Sequence, residues 1–332
     1  MATFEETGPQ TPVIEPTRVD KVHPRAKLGR SLRVFIIVIV TFIMLVPVIV
    51  MVMTAFKSRA TITTPPPKVF FHPTLEGFLY LFTDRSLYSP ANLKAAQANP
   101  GDLGYWQQLA LSVGQHINGP SDYVGRLKNS VIIAGTSTVL SVILGLFAAY
   151  AFSRFKVAGK DDLLFFILST RMLPGVVVTI PLFLLYKQLH WNDTHIGMII
   201  LYTVFNLSFS VWLLKGFIDE IPVEYEEAAL VDGYTRLQAF FRIVLPQAVN
   251  GIAATTVFCL IFAWNEYAFA LMLTSEKART APPSIATMLG SGGLEWSAIA
   301  AGSLGFLIPV VIVTFALRDY LLRGVTFGAV RK

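Results

Sequence analysis

Six long apolar runs alternate with polar segments along the chain. A membrane-spanning helix needs roughly 20 consecutive, mostly apolar residues, and each run is long enough to form one. The pattern therefore predicts an all-α, polytopic transmembrane helix bundle with six spans. The first run, which follows a polar leader, exceeds the roughly 7–15 residues of a signal-peptide core and is read as a true span. The six predicted spans are Val34–Phe56, Asn129–Phe152, Leu163–Leu189, Ile196–Phe217, Gly251–Leu273 and Ile299–Leu322.

Composition supports this assignment and excludes a soluble globular enzyme. Of the 332 residues, 54% are hydrophobic and 14% are charged, whereas soluble domains carry about 25% charged residues. The net charge of +6 does not indicate nucleic-acid binding, because the basic residues form no stripe interleaved with aromatic ones. The single cysteine, Cys259, excludes an intrachain disulfide and a multi-cysteine zinc site.

The distribution of lysine and arginine predicts the orientation of the spans. Basic residues collect in the N-terminal tail (1–33), after the second span and in the C-terminal tail (323–332), whereas the short loops on the opposite side carry few. Cytoplasmic loops carry the excess of basic residues, so both termini are expected in the cytoplasm. The long segment 57–128 is expected outside the cell despite its charges, because long loops translocate largely regardless of charge.

This extracytoplasmic segment is too polar to lie in the membrane. It contains the stiff run Thr63–Pro67, a short amphipathic piece at Leu75–Phe82, and a region rich in Asn, Gly, Pro and Gln. We expect a small lobe with some helix. Two interpretations stay open: the lobe contacts a partner, or it is an insertion without a function of its own.

The segment between spans four and five, residues 218–250, has a different character. It is amphipathic, with Pro222 suited to the first turn of a helix and Asp219 or Glu220 near that helix's N-terminus. The pair Asp232-Gly233 predicts a turn. A second helix is expected to reach Leu245 and to stop at Pro246. The pattern predicts two short helices at an angle, projecting into the cytoplasm.

This segment resembles the EAA motif of ABC importer permeases. The resemblance rests on Glu227-Ala228-Ala229, then Gly233, then Ile243-x-Leu245-Pro246. Softer motifs from about Arg126 onward are similar to the carbohydrate-uptake branch, which includes the second membrane subunit of the maltose transporter. These softer motifs are Arg171-Met172-Leu173-Pro174, Trp264-Asn265-Glu266-Tyr267 and the stretch from Gly324 to Val330.

The resemblance implies the fold of a type I ABC importer permease in the cytoplasmic membrane of a bacterium or archaeon. It implies a coupling helix that docks into an ATPase, and a chain that forms half of a pore for a sugar, oligosaccharide or polyol. The expected partners are an ABC ATPase dimer, which would hold the ATP and Mg, a second permease subunit and an extracytoplasmic solute-binding protein. The residues assigned to ATPase coupling are Glu226, Glu227, Ala228, Ala229, Asp232, Gly233, Ile243, Leu245 and Pro246.

Polar residues inside the predicted spans are candidates for the translocation path. Arg at the centre of a lone helix costs about 2.5–3.5 kcal/mol, so Arg171 should face protein or a water-filled path. Pro174 predicts a kinked or broken third span, and transporters place such breaks beside substrate cavities. Hydrogen bonding and packing between helices are the favoured explanation of the individual residues, and a role in the translocation path stays open as the alternative. The candidates are Arg171, Pro174, Asn206, Ser208, Asn265, Glu266 and Tyr267.

No catalytic or metal-binding motif is present in the sequence. There is no G-x-x-x-x-G-K-[ST] loop for ATP phosphates, no H-E-x-x-H and no G-x-S-x-G, and the five histidines are scattered. We therefore expect no enzyme, no metal and no cofactor bound by this chain, with energy supplied by another subunit. The alternatives are an ABC permease for another class of solute and an ATP-independent secondary transporter.

Overall fold

The chain divides into two units, Met1–Val50 and Met51–Lys332, and each is described by itself. In the first unit, the helix α1 (Pro24–Ala55) begins and runs through the apolar residues of the first predicted span. Several predicted features lie outside the described residues: the tail before Pro24, the end of the sixth span and the motif between Gly324 and Val330. The computed structural model describes residues 24–66, 68–98, 101, 103–290 and 293–320.

The second unit is mostly helical. Its first part contains α2 (Arg59–Thr63), α3 (Glu76–Phe82), α4 (Pro90–Ala98), α5 (Tyr105–Ser112) and the paired strands β1 (Thr83–Leu87) and β2 (Gln115–Pro120). The remaining helices are α6 (Tyr123–Arg154), α7 (Lys160–Ser169), α8 (Gly175–Gln188), α9 (His195–Asp219), α10 (Glu224–Val231), α11 (Arg236–Ala239), α12 (Leu245–Gln247), α13 (Val249–Trp264), α14 (Ala268–Leu273), α15 (Ala281–Ala286) and α16 (Trp296–Ala316), with a small hairpin, β3 (Leu289–Gly290) and β4 (Gly293–Leu294), before α16.

Four described helices are long and apolar enough to cross a membrane, and counting each bent helix pair as one span gives six. The third span is broken, as predicted, with an angle of 94° between its two halves. The fifth span differs from the prediction, because α13 ends at Trp264 and a separate helix starts at Ala268. The break is explained by Glu266, whose carboxylate accepts hydrogen bonds from the backbone N–H groups of Phe269 and Ala270 and so starts a new helix.

Small residues let the central helices approach closely. Ser141 donates its hydroxyl to the carbonyl of Thr203 at 3.2 Å, which links α6 to α9. The Ser210 hydroxyl lies 3.1 Å from the Cys259 sulfur, which links α9 to α13. At Gly145 a Cβ atom would lie only 2.5 Å from the Cβ of Ser210. Close packing through small and hydroxyl residues is the usual way in which helices associate within a membrane.

The segment after the first span folds onto the N-terminal end of α16. The buried helix α3 confirms the amphipathic piece predicted at Leu75–Phe82, whereas the pairing of β1 with β2 was not predicted. Glu295, which is only 2% exposed, forms an ion pair of 2.9 Å with Arg59. Nearby, the Tyr80 hydroxyl donates to the Glu76 carboxylate at 2.7 Å. The ion pair links α2 to the start of α16, whereas the Tyr80–Glu76 bond lies within α3, which packs on α16 through Leu79 and Ala298.

A second polar contact joins two loops beyond the spans. Asp193, which adopts a left-handed backbone conformation with φ 55°, accepts hydrogen bonds from the backbone N–H groups of Ser275, Glu276, Lys277 and Ala278. Burial alone would raise the pKa of Asp193, but these bonds outweigh burial and hold that pKa well below its usual range. The carboxylate thus ties the loop before α9 to the loop after α14.

Replacing Gly145 with Ala should destabilise the protein by about 1–3 kcal/mol, the usual cost of overpacking, because the new methyl group meets Ser210 across the α6–α9 contact. Gly135→Ala in the same helix is the matched control, since a Cβ there has no neighbour within 4 Å. The measurement is the thermal unfolding midpoint of both variants in detergent. Equal midpoints would contradict the close approach.

Asp193→Asn should lower stability at neutral pH by about 1.5–3 kcal/mol, since a charged acceptor is lost. A carboxylate whose folded pKa is depressed stabilises above its unfolded pKa, about 3.9, and this contribution is lost as the pH falls through the folded value. The gap in thermal midpoint between wild type and variant should therefore be constant near pH 7 and shrink below about pH 4. A gap independent of pH would show that the charge does not matter.

Candidate functional site

Two helices at an angle form a projection between spans four and five, which we call the knob (residues 223–247). The first, α10, ends at the turn Asp232-Gly233 that the sequence predicts. Gly233 has φ +87°, a conformation that glycine adopts without strain. The Tyr234 N–H donates back to the Ala229 carbonyl at 3.0 Å and closes the turn. The hydroxyl of Thr235 accepts from the N–H of Gln238 and so starts α11.

The knob is anchored to α6 by a buried ion pair. The guanidinium of Arg154, at the end of α6, contacts the carboxylate of Glu226, and both side chains are almost fully buried. The Tyr150 hydroxyl donates to the same carboxylate at 2.8 Å. Arg154 also donates to the carbonyls of Ile218 and Ile221 at 3.1 and 2.8 Å. One side chain thus holds the end of α6, the end of α9 and the start of the knob together.

The predicted coupling residues divide into buried and exposed ones. Glu226 and Ala229 are 4% and 5% exposed and face the interior, so α10 does not present both alanines of its motif to a partner. Glu227, Ala228, Asp232 and Gly233 lie on the exposed side. Val231 and Leu237, at 88% and 62% exposed, extend this surface. The knob therefore presents an apolar surface with carboxylates at its edge.

The second half of the knob, from α11 to α12, differs from the prediction of a helix that stops at Pro246. The chain stays helical through Pro246, as a wider π turn over Phe240–Val244 followed by α12, and bends by 74° only at the junction with α13. Proline lies in the first turn of α12, where its missing N–H leaves no hydrogen bond broken. Ile243 and Leu245 are half-buried, and Pro246 is exposed. Asp219 also differs from its predicted place, because it ends α9 rather than starting α10.

A cavity of about 300 Å³ lies beside the break in the third span. Pro174 precedes α8, and Gly175, its first residue, lines the cavity together with Arg171, Asn206 and Glu266. Three of the predicted path residues, from three separate spans, are thus brought together. Asn206 is 3% exposed and donates its amide to the Cys259 carbonyl at 3.0 Å.

Arg171 and Glu266 line the same cavity but have different partners. Arg171 donates to the Phe205 carbonyl at 3.1 Å, and its guanidinium carbon lies 4.2 Å from the centre of the Phe262 ring. Glu266 accepts a hydrogen bond of 2.7 Å from the Tyr202 hydroxyl. It also accepts the two backbone hydrogen bonds, described above, that start α14. Glu266 therefore holds the break in the fifth span, whereas Arg171 packs against the ring of a neighbouring helix.

The other predicted path residues lie elsewhere. Ser208 is within 3.0 Å of the Thr170 hydroxyl and lines a second, mostly apolar cavity of about 370 Å³, which shares Arg171 and Phe205 with the first. Asn265 donates to the Ile261 carbonyl at 2.9 Å, and its side chain is exposed, as is that of Tyr267. Within the described residues, no group of three or more His, Cys, Asp or Glu side chains is arranged to hold a metal ion.

Sequence reasoning missed the residues that fix the knob. Arg154 was counted only as one of the basic charges after span two, and Tyr150 as an apolar residue of that span. The available signal was the position of Arg154, at the end of an apolar span and on the same predicted side of the membrane as the acidic segment. The hydrogen bond from Tyr202 to Glu266 was likewise not predicted.

Comparison with known proteins gives a consistent set of similarities. A family model described as "Binding-protein-dependent transport system inner membrane component" matches residues 141–327, which include the knob and both broken spans. A probable ABC transporter permease protein of Sinorhizobium fredii is 31% identical and aligns over 88% of this chain and 92% of its own length. The trehalose/maltose transport system permease protein MalG of Thermococcus litoralis is 29% identical and aligns over 92% of this chain and 98% of its own length. The trehalose transport system permease protein SugB of Mycobacterium tuberculosis is 37% identical and aligns over 208 residues of this chain and 75% of its own length.

Among solved structures, a bacterial ABC transporter involved in the import of the acidic polysaccharide alginate contains a chain of similar fold. That chain aligns with 90% of this one and 98% of its own length, with a TM-score of 0.61 and 20% identity. At this level of identity the similarity concerns the fold.

Replacing Arg154 with Ala should leave Glu226 buried without its ionic partner and destabilise the protein by about 3–5 kcal/mol. The thermal midpoint should fall, and limited proteolysis should cut within the knob. Lys156→Ala is the control, because Lys156 is exposed two residues away. The double variant Arg154→Met with Glu226→Leu should recover part of the midpoint, because no unpaired charge stays buried, although the Ile218 and Ile221 carbonyls lose their donor. A double variant no more stable than Arg154→Ala would refute the pairing.

Proposed function

Because this chain belongs to the family of binding-protein-dependent transport system inner membrane components, we propose that it imports a sugar, oligosaccharide or polyol. The family membership confirms the resemblance stated from the sequence, and the mostly helical permease fold is confirmed by the solved structure of similar fold. The chain is the permease subunit of an ATP-driven ABC importer. ATP hydrolysis belongs to a separate subunit, so the chain is not itself an enzyme.

The observation that carries the coupling proposal is the anchored knob with its exposed apolar surface. Glu227, Ala228, Asp232 and Gly233 form the part of the knob that enters a cleft on the ATPase, with Glu227 available to a basic partner. Glu226 and Ala229 act from inside by holding α10 in place. The half-buried Ile243 and Leu245, followed by Pro246, connect the knob to the fifth span.

The orientation follows from the charges. The knob shares its side of the membrane with Arg154, Lys156 and Lys160, so the positive-inside rule puts it in the cytoplasm with both termini. The segment between the first two spans then lies outside. The membrane is the cytoplasmic membrane of a bacterium or archaeon, where an ATPase can reach the knob from the cytoplasm.

The proposed solute class rests on two supports. Relatives named for trehalose and maltose transport align with most of this chain. The cavity beside the broken third span combines Arg171, Asn206 and Glu266 with the ring of Phe262, a mixture of polar groups and aromatic surface suited to a polyhydroxylated solute. An ABC permease for another class of solute is the alternative.

The proposed complex has four kinds of subunit and works by alternating access. This chain pairs with a second permease subunit to enclose the pore, and a solute-binding protein delivers the solute from outside. An ATPase dimer holds ATP and Mg, and its closure on ATP moves the knobs. Because Arg154 ties the knob to α6 and α9, the movement reaches α9, which lines the cavity through Asn206.

The proposal is tested by purifying the tagged chain from its native membrane and identifying its partners by mass spectrometry. An ABC ATPase, a second permease and a solute-binding protein should co-purify, and the complex should hydrolyse ATP. Binding of trehalose, maltose and polyols to the solute-binding protein, measured by calorimetry, then tests the solute class. A chain that purifies alone, without ATPase activity, would refute the complex.

Gly233→Asp and Glu227→Ala should each reduce solute uptake by about tenfold or more, while ATP hydrolysis and membrane insertion persist. Aspartate at φ +87° is strained by about 1–2 kcal/mol, and the loss of Glu227 removes a charge-assisted contact worth about 1.5–3 kcal/mol. Glu224→Ala, an exposed carboxylate of the same helix, is the matched control. The measurement is uptake in proteoliposomes beside the ATPase rate. Full transport by Gly233→Asp would count against coupling through this surface.

A further inference from the structure

The segment between β1 and β2 forms a separate lobe, which we call the hairpin lobe (residues 83–120). Its two ends are paired, with Thr83 opposite Pro120, so that β1 and β2 carry α4 and α5 between them. The lobe therefore leaves the bundle and returns to it at one place. It adds surface to the protein without interrupting any span.

One side of the hairpin lobe is fixed to the rest of the second unit. Ala110 of α5 is buried in a cluster with Leu79 of α3 and Ala298 of α16, and Val113 packs against the same cluster. The position of α5 is thus set by apolar contacts with two helices. The lobe is therefore attached to α3 and α16 in addition to its two strands.

The other side of the lobe presents two aromatic rings. The helix α4 contains no buried residue, and the first turn of α5 exposes Tyr105 at 58% and Trp106 at 41%. Their rings contact each other edge to face, with centroids 5.5 Å apart. A capping hydrogen bond of 3.2 Å, from the N–H of Gly104 to the side chain of Gln107, fixes this turn. The backbone turn that carries the pair is thus closed by a hydrogen bond, and the two rings support each other.

We propose that the Tyr105–Trp106 pair is the anchor through which this chain docks the extracytoplasmic solute-binding protein. The inference rests on the proposed function, which places the lobe outside the cell and requires such a protein to dock there. Tyrosine and tryptophan are the residue types that carry most binding energy in protein interfaces, and a rigid anchor loses little entropy on binding.

The chemistry of the lobe argues against attachment to an anionic lipid surface. Within their described ranges, α4 and α5 carry one charged side chain, Lys94, whereas attachment to an anionic membrane uses several basic residues. The partner should offer an apolar pocket with polar groups at its rim. Docking through such a contact should depend little on salt concentration, in contrast to docking through surface charges.

The test measures docking of the solute-binding protein that co-purifies with the complex, labelled with a fluorophore, to the complete complex in nanodiscs. Trp106→Ala should weaken docking by about 10- to 30-fold, the effect of removing an interface hot spot. The wild-type affinity should change by less than about threefold between 50 and 300 mM salt. Basal ATP hydrolysis should stay unchanged. Phe70→Ala is the matched control, because Phe70 is 94% exposed in the same segment but outside the lobe.

A photoreactive phenylalanine analogue at position 106, in the same complex, identifies what the lobe contacts. Cross-linking to the solute-binding protein, lost when that protein is left out, is the expected result. Cross-linking to lipid alone, or equal docking of wild type and Trp106→Ala, would overturn the proposal while leaving the importer intact. If the solute-binding protein failed to dock even to the wild-type complex, the proposed function itself would fail.

Discussion

The buried contact between Arg154 and Glu226 connects the membrane bundle to the surface that we assign to ATPase coupling. A knob that projects from the membrane transmits force only if it does not tilt on its own, and two short helices have little hydrophobic core of their own. An apolar cluster packs Phe240 and Val244 of the knob against α6 and α9, and Arg154 adds a polar link, because its guanidinium also reaches the carbonyls of Ile218 and Ile221. Removing two charges from water is costly, and the Tyr150 hydroxyl and these carbonyls provide the hydrogen bonds that offset the cost.

The helix α9 links the two functional regions. Near its middle, Asn206 lines the cavity beside the broken third span, and at its end the Ile218 carbonyl accepts from Arg154. Along its length α9 packs closely on α6, where Gly145 leaves no room for a side chain next to Ser210. Tightly packed helices shift as rigid bodies rather than deform. A displacement of the knob is therefore expected to move one wall of the cavity.

Much of this architecture could be predicted from the sequence, because a membrane imposes strong rules. The length of the apolar runs predicted the spans. Pro174 predicted the break in the third span, and Asp232-Gly233 predicted the turn of the knob. Partners across the fold could not be predicted in this way. Glu226 and Glu227 are neighbours of the same type, and only the position of Arg154 turns one inward. The predicted helix stop at Pro246 was wrong because a π turn precedes this proline and the helix continues through it. The break in span five depends on the hydrogen bonds that the Glu266 carboxylate accepts from backbone N–H groups.

The hairpin lobe follows a different physical logic from the bundle. Helices within the membrane are constrained on every side by packing and by the need to satisfy backbone hydrogen bonds, so little can be added to them. A segment that leaves and returns through paired strands escapes these constraints, because its ends stay adjacent whatever lies between them. Its inner face still needs apolar contacts, which Ala110 and Val113 provide. Its outer face is then free to be shaped by a partner, and the exposed rings of Tyr105 and Trp106 lie on that face.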